Sequence, residues 1–90
     1  MKNYLTKKII KEKLAFTKKA LEIAEKKINK TEEAEEILKM VKSYLEDSIY
    51  FLKKKDYINS FGAIYYAHGW LDCGARLKIF DVEDSRFFSI

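Results

Sequence analysis

Residues 56–80 read DYINSFGAIYYAHGWLDCGARLKIF, and this stretch decides the fold of the 90-residue chain. Asp56 is a good N-cap for a helix, because its carboxylate accepts hydrogen bonds from the free amide groups of the first turn. Wound at about 3.6 residues per turn, the segment that follows is apolar on opposite sides. A helix of this kind is normally covered all round. We therefore predict that residues 57–79 form the central helix, with every side covered by the rest of the molecule or by a second copy.

His68, Asp72 and Arg76 follow one another at steps of four residues along this helix. Residues four apart are neighbours on a helix, so the carboxylate can reach both cationic partners. A histidine oriented by a carboxylate is the usual general base, which makes these residues a candidate enzymatic or small-ligand site. Cys73 points away from His68 on this helix, and the chain has no second His and no other Cys to complete a zinc site, however. We expect a buried polar network that fixes the helix register, without metal or cofactor.

A second candidate site lies on another side of the same helix. Its members are Tyr66, Gly69, Trp70, Cys73 and Leu77. Trp and Tyr are frequent among the residues that dominate protein interfaces. A glycine inside a helix costs about 1 kcal/mol relative to alanine, and close approach of another backbone would offset that cost. We therefore expect a protein partner here, such as a second copy in a homodimer.

Two more helices are predicted, over residues 4–29 and 32–53. In each, apolar residues recur at steps of three and four, which is typical of an amphipathic helix. The seam of the first helix consists of Ile10, Leu14, Thr17, Leu21, Ala24 and Ile28. The fold class that follows is all-α, an up-and-down antiparallel three-helix bundle formed by a single domain, residues 1–90.

The short turn before Asp56 makes the second and third helices antiparallel neighbours. Folding them about this turn brings Tyr44 level with Tyr65 and Glu33 level with Arg76. We therefore predict an ion pair between Glu33 and Arg76, which would add Glu33 to the polar network.

The last residues, 80–90, form a tail with large apolar side chains. Phe87, Phe88 and Ile90 would each be costly to leave in water. We expect the tail to pack on the bundle, folding back over the third helix, or to dock on another subunit.

The chain carries a formal net charge of +4, and lysine supplies nearly all of its positive charge. Five of the lysines form a basic face on the first helix: Lys8, Lys11, Lys18, Lys19 and Lys26. A basic face can follow phosphates, so a nucleic-acid-associated accessory protein is an alternative function. Arginine is the usual choice for bidentate phosphate contacts, however, and the chain has two. We favour a solvated helix surface.

One cysteine excludes an internal disulfide and is compatible with the cytoplasm. No apolar run approaches the roughly 20 residues of a membrane span, so we expect no membrane partner. Enrichment in Lys and Glu without Gln is the pattern reported for proteins of hyperthermophiles.

The run YAHGWLDCGARLKIFDV, preceded by KKDYINSF, resembles the signature of a small archaeal family, domain of unknown function 357. The resemblance covers the second half of the chain closely and the whole chain in helix layout. It implies an up-and-down three-helix bundle and brings no established activity. Cys73 and Lys78 stand where we expect small residues, typically Ala and Gly.

Overall fold

The computed structural model describes residues 4–90, which contain three helices: α1 (Lys7–Glu25), α2 (Thr31–Lys53) and α3 (Tyr57–Arg76). They form the predicted all-α, up-and-down three-helix bundle. α3 packs against both other helices, whereas α1 and α2 contact each other little. α3 is therefore the central helix, as expected. Residues 1–3 of the predicted domain lie outside the described range.

The hydrophobic core is made by one face of each helix together with the segment after α3. Buried members from the three helices are Ile10, Leu14, Ala20, Ala24, Ala34, Ile37, Val41, Leu45, Ala63, Ile64, Ala67, Leu71 and Ala75. Ile79, Phe80, Val82 and Phe88 add four buried side chains from beyond α3. Burying a large apolar side chain contributes about 1.5–3 kcal/mol, so these late residues are a substantial part of the core.

α1 is shorter than predicted at both ends. It begins at Lys7 because the side chain of Thr6 accepts a hydrogen bond from the backbone N–H of Ile9 at 3.2 Å. It ends at Glu25 because the next residues pair with the chain that leaves α3. The N–H of Asn29 donates to the carbonyl of Ile79 at 2.8 Å. Backbone groups used across the two segments are not available to prolong the helix.

α3 ends at Arg76, before the predicted residue 79, because the chain turns back sharply. Lys78 adopts the left-handed conformation, with φ 60°. The carbonyl of Gly74 accepts hydrogen bonds from the N–H groups of Ile79 at 2.8 Å and Phe80 at 3.2 Å. The Phe80 ring then lies so close to Gly74 that an added Cβ there would be 2.5 Å from it. Gly74 is therefore required for this close approach.

The tail folds back on the bundle, as predicted. Val82 and Phe88 are buried and Phe87 is half-buried. Ile90, by contrast, is 46% exposed. Two of the three apolar residues that we expected to dock thus do so, and the third, Ile90, lies at the surface.

Candidate functional site

His68 is held by hydrogen bonds at both ring nitrogens. Its Nδ1 is 2.9 Å from Oγ1 of Thr17 on α1, and its Nε2 is 2.6 Å from the backbone carbonyl oxygen of Phe87 in the tail. A carbonyl oxygen can only accept, so Nε2 carries a proton and donates it. In the neutral ring Nδ1 then accepts from the hydroxyl of Thr17. The buried imidazole thereby joins α1, α3 and the tail.

Asp72 belongs to the same region but bonds mainly to the tail. Its Oδ1 accepts a hydrogen bond from the backbone N–H of Ser89 at 2.9 Å. The same oxygen is 3.7 Å from Nε2 of His68, which is too far for a hydrogen bond. The predicted contact between the imidazole and the carboxylate is therefore loose, and both groups serve to hold the tail.

The other two members of the predicted network do not join it. Arg76 and Glu33 are exposed, and within residues 4–90 no ion pair links Arg76 to Glu33 or to Asp72. The predicted Glu33–Arg76 ion pair is wrong. Each step of four residues turns a helix by about 40°, so Arg76 is rotated by about 80° around the axis of α3 from His68. His68 faces α1 and the tail rather than α2. The rotation carries Arg76 to the exposed side of α3, away from Glu33 on α2.

The aromatic rings around His68 complete its surroundings. Phe16 of α1 stacks on His68 with ring centroids 5.5 Å apart and on Phe87 with centroids 5.0 Å apart. An open cleft of about 460 Å³ borders these rings and is lined also by Tyr65 and Asp72. Both imidazole nitrogens are already hydrogen-bonded within the protein, Nδ1 to Thr17 and Nε2 to the carbonyl oxygen of Phe87. The arrangement suits structural support better than general-base chemistry.

Arg86 and Asp84 form a compact ion pair in the tail. Nε and Nη2 of Arg86 donate to the two carboxylate oxygens at 2.9 and 2.8 Å. These side-chain hydrogen bonds, followed by the backbone N–H of Arg86, lower the pKa of Asp84 below its ordinary value. The same bonds raise the pKa of Arg86. The pair lies at the solvent-exposed surface and fixes a turn in the tail.

The aromatic–glycine face is the exposed side of α3. We define it by six residues that line an open groove of about 430 Å³: Gly62, Tyr65, Tyr66, Gly69, Trp70 and Cys73. Tyr66 is 65% exposed, and Leu77, one turn beyond the groove, is 57% exposed. Four of the five residues of the predicted interface therefore line one groove, and the fifth lies beside it.

The other described residues leave this face open. We expected α3 to be covered on every side by the rest of the molecule or by a second copy. Within residues 4–90, α1, α2 and the tail cover the opposite side and the flanks but not this face. Tyr66 contacts the bundle on one side of its ring, where the ring of Tyr44 on α2 lies with its centroid 5.0 Å away. Tyr44 thus packs on Tyr66 rather than on Tyr65. Coverage of the face by a second molecule stays a prediction.

Gly62 and Gly69 have no packing role within the described part of the chain. A Cβ built on either residue meets no atom within 4 Å outside the helix's own nearby backbone. This is the reverse of Gly74, where the Phe80 ring occupies the space. Each of the two glycines therefore weakens α3 by roughly 1 kcal/mol, and no contact among the described residues offsets this cost.

The five lysines of the basic face are all exposed. Acidic residues interrupt the face, however. Glu22 pairs with Lys19 at 3.7 Å, and Glu25 pairs with Lys42 of α2 at 3.2 Å. Lys26 lies just past the end of α1. The positive charge is thus spread over a mixed surface rather than gathered in a cleft.

Sequence reasoning missed two partners of His68. Thr17 was already conspicuous as the one polar residue in the seam of α1, and His68 is a lone polar residue in the seam of α3. Two such residues on facing helices are expected to pair, because buried polar groups need hydrogen bonds. The backbone carbonyl of Phe87 gave no signal, since the path of the tail cannot be read from side-chain types.

Within the described residues 4–90, no helix is both long and apolar enough to cross a membrane. Comparison with protein families gave one match: the model of a family described as a protein of unknown function (DUF357) fits residues 11–80. Searches among curated proteins and among solved structures gave no match.

Proposed function

Because this chain belongs to the DUF357 family, whose description names no activity, we propose its function from the geometry of α3: it is a non-enzymatic module that associates with a second copy of itself through the aromatic–glycine face. The observation that carries this proposal is the pair of helical glycines on an exposed face. Gly62 and Gly69 cost helix stability, and no described residue needs the space they leave. A second chain packed against α3 at these two positions would explain why both are glycine.

The chemistry of the face also supports a protein partner. None of its six residues carries a charge, although 36% of the residues of the chain are charged. Two molecules with the same positive net charge can meet at an uncharged face without opposing like charges. Tyr and Trp provide large contact areas at such interfaces and carry much of the binding energy.

The polar network supports the absence of catalysis. Both nitrogens of His68 are engaged with Thr17 and Phe87, and Asp72 binds the backbone of Ser89. These bonds give the network a structural role in holding the tail. The exposed thiol of Cys73, as the single cysteine, suits a reducing compartment, and we therefore propose a cytoplasmic location.

The experiment compares the sedimentation of the wild type with that of Gly69→Gln over a series of protein concentrations. Glutamine fills the groove without adding charge, and its helix propensity exceeds that of glycine. We expect a wild-type dimer at high concentration and a Gly69→Gln monomer whose thermal stability in dilute solution is equal or higher. Ser43→Gln on the exposed side of α2 is the matched control and should dimerise like the wild type. A wild type that stays monomeric throughout the series contradicts the proposal.

The alternative function is a nucleic-acid-associated accessory protein, supported by the exposure of all five lysines of the basic face. Binding of this kind would depend steeply on salt, because each neutralised phosphate releases counterions. A titration of duplex DNA and single-stranded RNA at several salt concentrations distinguishes the two functions. Lys18→Ala would reduce the salt slope by about 1 if the basic face follows phosphates.

A further inference from the structure

We infer that the two copies bind with their α3 helices antiparallel, and that Tyr66 of each copy lies in the notch above the partner's Gly69. This inference rests on the proposed function and adds the arrangement of the interface. In it the partner copy completes the groove: each molecule supplies the side chain that fills the space left by the other's glycine.

The groove has walls and a floor. On one side Tyr65 leans towards α1, where its ring centroid is 4.6 Å from Nζ of Lys13. The ring also packs edge-on against that of Phe61, one turn earlier in α3, with centroids 4.9 Å apart. On the other side Tyr66 leans towards Tyr44 of α2. The two tyrosines therefore spread apart, although they are adjacent in sequence, and leave the backbone between them accessible.

The floor of the groove is a line of small residues. At about 100° per residue, Gly62, Gly69 and Cys73 fall within about 40° of one another around α3. Gly62 and Gly69 are two helical turns apart, and the tyrosines stand between them. Along the helix the face thus presents a notch at Gly62, then the tyrosine pair that stands at the two edges of the groove, which we call the ridge, and then a second notch at Gly69.

A two-fold axis is the commonest symmetry of a homodimer, and it brings the same surface of both copies together. An axis crossing α3 midway between positions 67 and 68 pairs Tyr66 with the partner's Gly69. It also pairs Gly62 with the partner's Cys73. At the outer ends, Ile58 meets the partner's Leu77, which buries two side chains that are 77% and 57% exposed in the single chain. In these three pairs, each large exposed side chain therefore lies opposite a small or an apolar residue of the partner.

Other arrangements place ridge on ridge. In a parallel pair each residue meets its own copy, so the tyrosines of the two molecules collide. In an antiparallel pair shifted by four residues, Gly62 meets the partner's Gly69, but Tyr65 and Tyr66 then face the partner's same two residues. Of these three arrangements, the proposed alignment alone puts the ridge of each copy into a notch of the other, which is the usual rule of helix packing.

Cross-linking through Cys73 tests the alignment. In the proposed pair, position 62 lies opposite the partner's Cys73, whereas the two native Cys73 residues are about 16 Å apart along the helices. A disulfide needs Cα atoms about 4.4–6.8 Å apart. With oxidised glutathione as the oxidant, we expect Gly62→Cys to give a covalent dimer with two intermolecular disulfides and the wild type to give none. Non-reducing electrophoresis and the intact mass report the products.

Ile58→Cys is the matched control, because it faces Cys73 in the alignment shifted by four residues. Preferential cross-linking of Ile58→Cys, or a Cys73–Cys73 disulfide in the wild type, overturns the inference. If Gly62→Cys sediments as a dimer but forms no disulfide, the alignment is wrong while the proposed function stands. Circular dichroism verifies that the variant is folded, which the open space at Gly62 allows. A chain that is monomeric at every concentration removes both proposals.

Discussion

Thr17 of α1 and His68 of α3 are joined by a hydrogen bond of 2.9 Å between the hydroxyl oxygen and Nδ1, and both residues are buried. The bond fixes the rotation of α1 relative to α3. It also orients the imidazole so that Nε2 meets the carbonyl oxygen of Phe87. One buried contact therefore determines how the helices and the tail fit together.

Replacing Thr17 with valine should destabilise the fold. Valine keeps the shape of the side chain but leaves Nδ1 of His68 buried without a partner, which costs about 1–3 kcal/mol. For a domain of this size each kcal/mol lowers Tm by roughly 4–8 °C. Thr17→Ser, which keeps the hydroxyl, should lower Tm less than Thr17→Val in a thermal melt. Equal losses in the two variants would mean that the hydrogen bond contributes little.

Alanine at position 74 should destabilise the fold, whereas alanine at position 62 should stabilise it. Gly74→Ala places a Cβ 2.5 Å from the buried Phe80 ring and should cost about 1–3 kcal/mol through overpacking. Gly62→Ala meets no described neighbour and should stabilise the monomer by up to about 1 kcal/mol. Urea unfolding in dilute solution measures both. Destabilisation by Gly62→Ala would show that the residue has a role inside the monomer.

Replacing Lys78 with glycine should stabilise the folded protein. Its φ of 60° lies in the left-handed region, which costs a residue with a side chain roughly 1–2 kcal/mol. Lys78→Gly should therefore raise the free energy of unfolding. Lys39→Gly, at an exposed position inside α2, is the control and should lower it by about 1 kcal/mol. The same sign for both substitutions would contradict the explanation.

Docking of the tail should depend on Phe88 rather than on Ile90. Phe88 is 2% exposed, so Phe88→Ala should cost about 3–5 kcal/mol. Ile90→Ala changes a half-exposed side chain at the end of the tail and should alter stability by less than about 0.5 kcal/mol. Amide hydrogen exchange at Ser89 reports the tail directly. Protection of that amide in Phe88→Ala would show that other contacts hold the tail.

Removing the side chain of Arg86 should raise the pKa of Asp84. In the native protein the hydrogen bonds from Arg86 hold this pKa below its ordinary value. Any stabilisation from the pair is present above the unfolded-state pKa and is lost as the pH falls through the folded-state pKa. The pair is solvent-exposed, so the effect on unfolding should be small. NMR titration of the Asp84 carboxyl group in Arg86→Ala measures the shift, and an unchanged pKa would exclude Arg86 as its cause.

The bundle and its central helix were predictable from sequence because periodic apolar residues and short turns leave few alternatives. Helix ends were less predictable. Apolar residues such as Ile28 and Ile79 continue the periodic pattern, but their backbones belong to the paired segments that follow α1 and α3. The candidate interface was predictable as a set of residues, because helical spacing groups them. Its exposure was not, because the direction in which α3 turns depends on where Phe80 and the tail pack.

The pairing of residues 27–30 with residues 78–81 has a consequence for the order of folding. α2 and α3 are joined by a short turn and can associate early, since closing a small loop costs little entropy. The anchor of α1 comes from residues about 50 positions later, as in the bond from Nδ2 of Asn29 to the carbonyl oxygen of Lys78. We therefore expect α1 to be the last helix to be immobilised, after the hairpin of the other two has formed.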